Sequence, residues 1–145
     1  MQPSLGTDTE AVVGGELLTA ARVALAHQRG IDHERAQSPL ADQKVTSKEA
    51  LSWVTVEGAR ALGLEGRVGQ LQVGMQADLA VIDAGALNLS PASNPIATAL
   101  NAGTENIEAV MIGGRWRKRD HALLDVDLDE IKDRLCESRE RLLLT

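Results

Sequence analysis

Apolar side chains recur every three or four residues in three parts of the chain, which places them on one face of a helix. The predicted helices cover residues 12–29, 46–62 and 127–144. Gly30 and Gly63 are predicted to end the first two, because glycine readily adopts the left-handed conformation that closes many helices. A shorter helix of one or two turns is predicted over residues 95–100.

Two of these helices carry further sequence signals. Thr46 and Glu49 stand at the spacing of a capping box, in which each side chain bonds to a backbone amide of the first turn. The last helix has acidic residues at its start and arginines toward its end, as the helix dipole favours. Its predicted buried face consists of Leu128, Ile131, Leu135 and Leu142.

Between the helices the apolar period shortens to that of strands. Residues 4–7, 77–83, 106–112 and 115–118 predict strands, and residues 67–74 show the same alternation. Gly113-Gly114 is a two-residue hairpin signal. The order is one strand, two helices, three or four strands and a helix, which predicts an α/β fold, or α+β if the chain is an isolated fragment.

Composition narrows the range of partners. The 145 residues carry a net charge of −6 and a single cysteine, Cys136. An acidic chain is not expected to bind nucleic acid or an anionic membrane. The single thiol suits a reducing compartment, and with no apolar run of membrane-spanning length we expect a cytoplasmic protein.

The basic run 115–119 is read as a solvated edge strand. There is no Phe or Tyr, so Leu, Val, Ile and Ala must form most of the core.

Candidate chemistry is sparse. His27, His33 and His121 are too scattered to form a metal site, which needs about three converging ligands, and are read as surface residues. Cys136 has no histidine partner in sequence. Asp8 remains, at the predicted end of strand 4–7. It is either a turn or helix-capping aspartate, or a carboxylate at the open end of a barrel strand that holds a metal and accepts a proton from water.

Three stretches together resemble the amidohydrolase superfamily, in its branch of cytosine deaminases, guanine deaminases and triazine chlorohydrolases. Residues 69–83 are similar to its G-x-L-x-x-G-x-x-A-D-L-x-x-x-D run, with Gln76 where lysine is usual. Residues 50–55 and 58–64 resemble its E-A-L-x-x-A-T-x-x-G-A-x-A-L-G-L helix, and residues 5–8 resemble the end of its eighth barrel strand. In addition to these three, residues 106–116 resemble the closing strands of the family, and the last helix matches in kind.

The resemblance implies the last β/α unit of a (β/α)8 metal-dependent hydrolase barrel, the C-terminal half of a flanking small β-domain, and a terminal helix. The corresponding division is 1–64, 65–120 and 121–145. Such enzymes use a divalent metal, Zn or Fe, to activate water against a C–N or C–halogen bond of a heterocyclic substrate. Asp8 inherits the position of metal ligand and proton shuttle.

The histidines of that family's metal site have no counterpart in this chain. We therefore expect no cofactor in this chain alone, and Asp8 to bind a metal only if another chain supplies those histidines. The expected role is the C-terminal fragment of an amidohydrolase, inactive alone. The alternatives are a non-catalytic oligomerisation or binding module and one subunit of a split hydrolase. In each case we expect a homo-oligomer or a complex with a barrel chain.

Overall fold

The computed structural model describes residues 3–9, 14–36 and 44–143, which contain five α-helices and two short 3-10 helices, Leu87–Leu89 and Thr104–Asn106. The helices are α1 (Leu17–Arg35), α2 (Ser47–Trp53), α3 (Val56–Ala61), α4 (Pro95–Asn101) and α5 (Leu128–Leu143). No helix in the described ranges is long and apolar enough to span a membrane. The chain is thus mixed α/β, since a four-stranded antiparallel sheet completes it.

The limits of α1 differ from the prediction at both ends. The predicted start at Val12 lies outside the described residues, and the helix continues through Gly30 to Arg35. Gln28 donates a hydrogen bond from Nε2 to Asp32 Oδ1 at 3.0 Å, one turn further along. Such a pair supports the helix across the glycine, whose cost in a helix is only about 1 kcal/mol.

The helix predicted over 46–62 is split in two. The capping box is confirmed, because Thr46 Oγ1 accepts from the Glu49 amide and Glu49 Oε2 accepts from the Thr46 amide. The split falls at Thr55, whose backbone is not helical. Thr55 Oγ1 donates to Leu51 O at 2.8 Å, and Ser52 Oγ donates to Glu49 O at 2.7 Å. Hydroxyls bonded back to the preceding turn bend helices, and here the helix breaks.

Three helices enclose the main core. Its buried side chains come from α1, α2 and α4 and are Ala21, Leu25, Ala50, Trp53 and Leu100. Ala21 on α1 and Ala50 on α2 are fully buried in the same cluster as Trp53. The α4 helix, which was predicted, is started by Asn94, whose Oδ1 accepts from the amides of Ile96 and Ala97.

The strands form one antiparallel sheet in the order β1-β2-β3-β4. They are β1 (Leu79–Ile82), β2 (Ile107–Ile112), β3 (Arg115–Arg119) and β4 (Ala122–Leu123). The predicted hairpin is confirmed: Gly113 and Gly114 have φ values of +57° and +78°, as a type I′ turn requires. The basic run 115–119 was predicted to be an edge strand. The unpredicted β4 pairs with Lys118 and Arg119, so only the first half of the run lies at the edge of the sheet.

Two predicted strands are wrong. Residues 4–7 run as an unpaired segment, because no described strand lies beside them to complete a ladder. Residues 67–74 are a series of turns in which Gly69 and Gly74 have φ values of +97° and +91°. Their alternation of apolar and polar positions comes from tight turns and not from a pleated strand. The three-part division at residues 64 and 120 stays a prediction.

The apolar face of α5 was predicted to be buried, and this is wrong. None of its residues is buried, and Leu128, Ile131, Leu135 and Leu142 are between 43 % and 74 % exposed. The 3.6-residue period correctly predicted the helix. The period does not determine what covers the apolar face, and within the described residues nothing buries it.

Gly69 is required both by its backbone conformation and by the space around it. A Cβ at this position would lie 3.0 Å from Ala59 Cβ and 3.1 Å from Val56 Cα, both on α3. We expect Gly69→Ala to lower the free energy of unfolding by about 2–3 kcal/mol, from left-handed strain plus overpacking. Gly74→Ala is the control, since Gly74 has similar φ and no atom within 4 Å. Urea denaturation should show the larger loss at Gly69; equal losses would contradict the packing argument.

Candidate functional site

Asp8 lies near the end of the short segment 3–9, which is attached to the helical core. Leu5 packs against the core cluster, and its amide donates to Trp53 O at 3.3 Å. Three residues further on, Asp8 is exposed and has a φ of +58°. Aspartate is one of the few residues that accept this conformation. The core therefore fixes the base of the segment, and a sharp bend presents the carboxylate to solvent.

The described residues do not surround Asp8 with metal ligands. Within them, no group of three or more His, Cys, Asp or Glu side chains is placed to hold a metal ion. His27, His33 and His121 are exposed, as predicted. A catalytic zinc site requires about three protein ligands. The part of the chain that the structure describes thus supplies one candidate ligand and not a complete site, and Asp8 as a ligand stays a prediction.

A polar network connects the start of α1 to the end of α4. Arg22 donates from Nη1 to Leu100 O at 3.0 Å and to Ala102 O at 2.7 Å, which satisfies carbonyls that the end of α4 leaves unpaired. Its Nη2 donates to Thr19 Oγ1 at 2.6 Å. Thr19 in turn donates to Glu16 Oε2. The network ties α1, which follows Asp8 in the chain, to a segment about eighty residues away.

Glu16 completes this network by accepting the Thr104 amide on Oε1 at 3.3 Å. The hydrogen bonds from Thr19 and then Thr104 lower the pKa of Glu16 below its ordinary value of 4.5. The pKa of Glu49 is lowered in the same way by the Thr46 amide. Sequence reasoning missed Glu16 and Arg22, because the groups that they bind at the end of α4 and at Thr104 lie about eighty or more residues away in the chain.

These lowered pKa values predict a loss of stability in acid. A carboxylate whose pKa is lower in the folded chain stabilises the fold above its unfolded pKa, and this contribution is lost as pH falls through the folded pKa. We expect urea midpoints to fall between about pH 6 and about pH 3, and to fall less in Glu16→Gln. Equal pH dependence in the two proteins would contradict the role given to Glu16.

The A-D-L run and its closing aspartate serve the backbone and not chemistry. Asp78 Oδ1 accepts the Gly113 amide at the β2–β3 turn, and the Gly114 amide donates to Ala77 O at 3.0 Å. Asp83 Oδ1 accepts the Gly85 amide at 2.9 Å in a turn after β1. The Asp78 carboxylate thus holds the start of β1 against the hairpin, and the Asp83 carboxylate shapes the turn that follows β1.

Buried Asn106 organises the entry to β2. It exchanges two side-chain hydrogen bonds with Asn88, at 2.9 and 3.0 Å, and its Oδ1 also accepts the Gly103 amide at 3.0 Å. Its backbone carbonyl accepts the Asp83 amide at 2.8 Å. Asn106 is 2 % exposed and has its polar groups bonded, so it supports the fold and is not a free catalytic amide.

An open groove of about 410 Å³ runs between α1, α2 and α4, but it does not contain Asp8. Arg22, Arg29 and Asn101 are among its lining residues. Both arginines already donate to backbone carbonyls, Arg22 to α4 and Arg29 to Val45 O at 3.4 Å. The groove therefore offers few free polar groups, and Asp8 remains the candidate site residue.

Residues 3–117 match the model of the amidohydrolase family. The chain belongs to the amidohydrolase family. The match begins in the segment that carries Asp8 and ends in β3. It contains the four stretches quoted for the resemblance, between residues 5 and 116, so the family assignment is confirmed.

Individual amidohydrolases show the same relationship. The 5-methylthioadenosine/S-adenosylhomocysteine deaminase of Syntrophobacter fumaroxidans is 38% identical over 90 residues, which are 61% of this chain and 20% of that protein. The zinc-bound adenosine deaminase of Xanthomonas campestris aligns with 98% of this chain and 31% of its own, with 26% identity and a TM-score of 0.84.

A triazine hydrolase shares the fold. The atrazine chlorohydrolase of Arthrobacter aurescens, complexed with zinc, aligns with 92% of this chain and 29% of its own, with 21% identity and a TM-score of 0.78. The present amidohydrolase chain spans about a fifth of the length of the curated relatives it matches. The comparisons thus support a divalent metal in the family, while the described residues contain no metal cluster.

Proposed function

We propose that this chain supplies the C-terminal part of a metal-dependent amidohydrolase that hydrolyses a C–N bond of a heterocyclic substrate, as a deaminase does. The observation that carries the proposal is the family match over residues 3–117, together with deaminase relatives at 38% and 26% identity. C–halogen hydrolysis is the less supported outcome, because the chlorohydrolase is similar in fold only.

Asp8 is the residue to which we assign chemistry. An aspartate at this position would bind the divalent metal and move a proton between the attacking water and the leaving group. Because Asp8 is exposed at a bend, its carboxylate can share a metal ion with ligands from another part of the protein. The residues described in this chain do not complete a metal site, so we infer that the chain alone is inactive.

The surface of the chain supports a partner. Large apolar side chains outside α5 are exposed to an unusual degree: Leu62 and Leu71 are 76 % exposed, Leu87 is 92 % exposed and Val73 is fully exposed. Where such side chains lie together in one patch, the patch marks a surface that packs against another element. We infer that a barrel with the metal-binding histidines covers part of this surface, either in the same polypeptide or in a separate chain.

A chimera tests the proposal. The segment of the Xanthomonas campestris adenosine deaminase that aligns with this chain is replaced by residues 3–143, and ammonia release from adenosine is measured with zinc present. The donor barrel supplies the substrate loops, so the assay tests whether this chain completes a deaminase site. We expect deamination by the chimera and none by either part alone.

The outcomes are distinguished by zinc content and circular dichroism. A chimera that is folded and binds zinc but releases no ammonia would contradict the proposed catalytic role and favour a binding module. Activity in this chain alone would contradict the inference that its site is incomplete. Unmodified adenosine deaminase, prepared in parallel, is the positive control.

A further inference from the structure

Helix α5 lies beyond the family-model match over residues 3–117, although the alignment with the adenosine deaminase, over 98% of the chain, includes it. Its side chains fall into three stripes. The apolar stripe consists of Leu128, Ile131, Leu135 and Leu142, with Ser138 in the remaining position. These residues follow the alternating spacing of three and four that defines the a and d positions of a coiled coil. We call them the α5 seam. The seam is exposed along its whole length.

Basic and acidic residues occupy different faces of α5. All basic residues of α5 stand at the e and g positions that flank it: Lys132, Arg134, Arg139 and Arg141. The acidic residues within the helix stand on the opposite side, at b, c and f: Asp129, Glu130, Asp133, Glu137 and Glu140. Asp127 immediately precedes the helix and caps it, accepting the amides of Asp129 and Glu130 at 3.0 Å.

This segregation specifies the charge of what the seam can pack against. In coiled coils, the e and g residues meet those of the partner helix and determine which helices pair. Two copies of α5 would bring Arg134 next to another arginine in either orientation: Arg139 of the other helix if parallel, Arg134 itself if antiparallel. A partner with glutamates at e and g would instead form ion pairs along both sides of the seam.

We propose that α5 binds an amphipathic helix whose flanking charge is opposite in sign. That partner helix has apolar residues at a and d and acidic residues at e and g. The contact is heterotypic because the flanks of α5 repel a second copy. The long arginine and lysine stems widen the apolar strip while their charged ends reach the acidic flanks of the partner. Docking of this kind needs neither Asp8 nor a metal.

The test uses the full chain and two synthetic helices of about three heptads. Both peptides carry Leu at a and d; one carries Glu at e and g, and the other carries Lys. Each repels itself and stays monomeric at neutral pH. We expect the Glu peptide to bind about tenfold or more tightly than the Lys peptide, and to weaken as salt is raised. Equal binding of both peptides would overturn the proposal.

Variants of α5 separate position from net charge. Arg134→Glu with Arg139→Glu should invert the preference toward the Lys peptide. The control, Glu137→Lys with Glu140→Lys, changes two charges on the opposite side and should leave the preference unchanged. Leu135→Asp should abolish binding of both peptides. Circular dichroism confirms that the helix persists in each variant.

Two measurements test other occupants of the seam. Light scattering compares the wild-type chain with Leu135→Asp. A dimer that forms in the wild type and is lost in Leu135→Asp would overturn the proposal, because the seam would then bind a second copy. Flotation with vesicles of phosphatidylserine and phosphatidylcholine would overturn it if the chain bound the vesicles and Leu135→Asp did not. We expect neither result.

Discussion

Replacing Asp8 by asparagine is expected to slow adenosine deamination by the chimera by about 10²- to 10⁴-fold. Asparagine retains the shape of the side chain and accepts the φ of +58°, so the bend at this position should persist. The substitution removes the negative charge and the group that accepts a proton. The loss should therefore appear in kcat, with the fold unchanged by circular dichroism.

Asp125→Asn is the matched control for this substitution. Asp125 is also an exposed aspartate at positive φ, +57°, but it lies just before α5 and outside the family match. We expect it to leave kcat unchanged. If both variants lose activity equally, the effect arises from aspartates at bends in general. If neither loses activity, Asp8 is not the metal ligand or the proton carrier.

Trp53→Ala is expected to lower the free energy of unfolding by about 3–5 kcal/mol, enough to unfold a chain with a small core. Trp53 is 7 % exposed and fills the space between α1, α2 and α4. The remaining buried side chains of this cluster are alanines and leucines, so the cluster has no other aromatic ring to fill the cavity. Urea denaturation followed by circular dichroism measures the loss.

The second tryptophan serves as the comparison. Trp116 lies on β3, is only half-buried, and its ring lies 5.8 Å from the Arg119 guanidinium. We expect Trp116→Ala to cost about 1 kcal/mol, because less apolar surface is lost and the sheet keeps its hydrogen bonds. A loss at Trp53 no larger than that at Trp116 would show that the helices are not held together by this core.

Local signals predicted the elements they specify directly. The capping box at Thr46 and the Gly113-Gly114 turn depend on neighbouring residues, and both are present as predicted. The apolar period predicted α1 and α5, although Gly30 did not end α1. Glycine ends a helix only where the chain turns away, and here the Gln28–Asp32 pair continues it.

Features that depend on distant residues were not predictable in this way. The strand expected at residues 4–7 required a neighbouring strand, which the described residues do not provide. Arg22 binds the carbonyls of Leu100 and Ala102, a pairing that no local pattern indicates. The family was predicted from a local run, Gly69 to Asp83, in which Gly69, Asp78 and Asp83 shape turns of the backbone.

Our proposal gives this chain one metal ligand, Asp8, in an amidohydrolase site that is completed elsewhere. Zinc content settles it most directly: the purified chain is loaded with zinc, dialysed, and measured by mass spectrometry, alongside Asp8→Asn and the chimera. We expect substoichiometric zinc in the chain alone and stoichiometric zinc in the chimera. One tightly bound zinc per chain in the isolated protein, lost in Asp8→Asn, would contradict it.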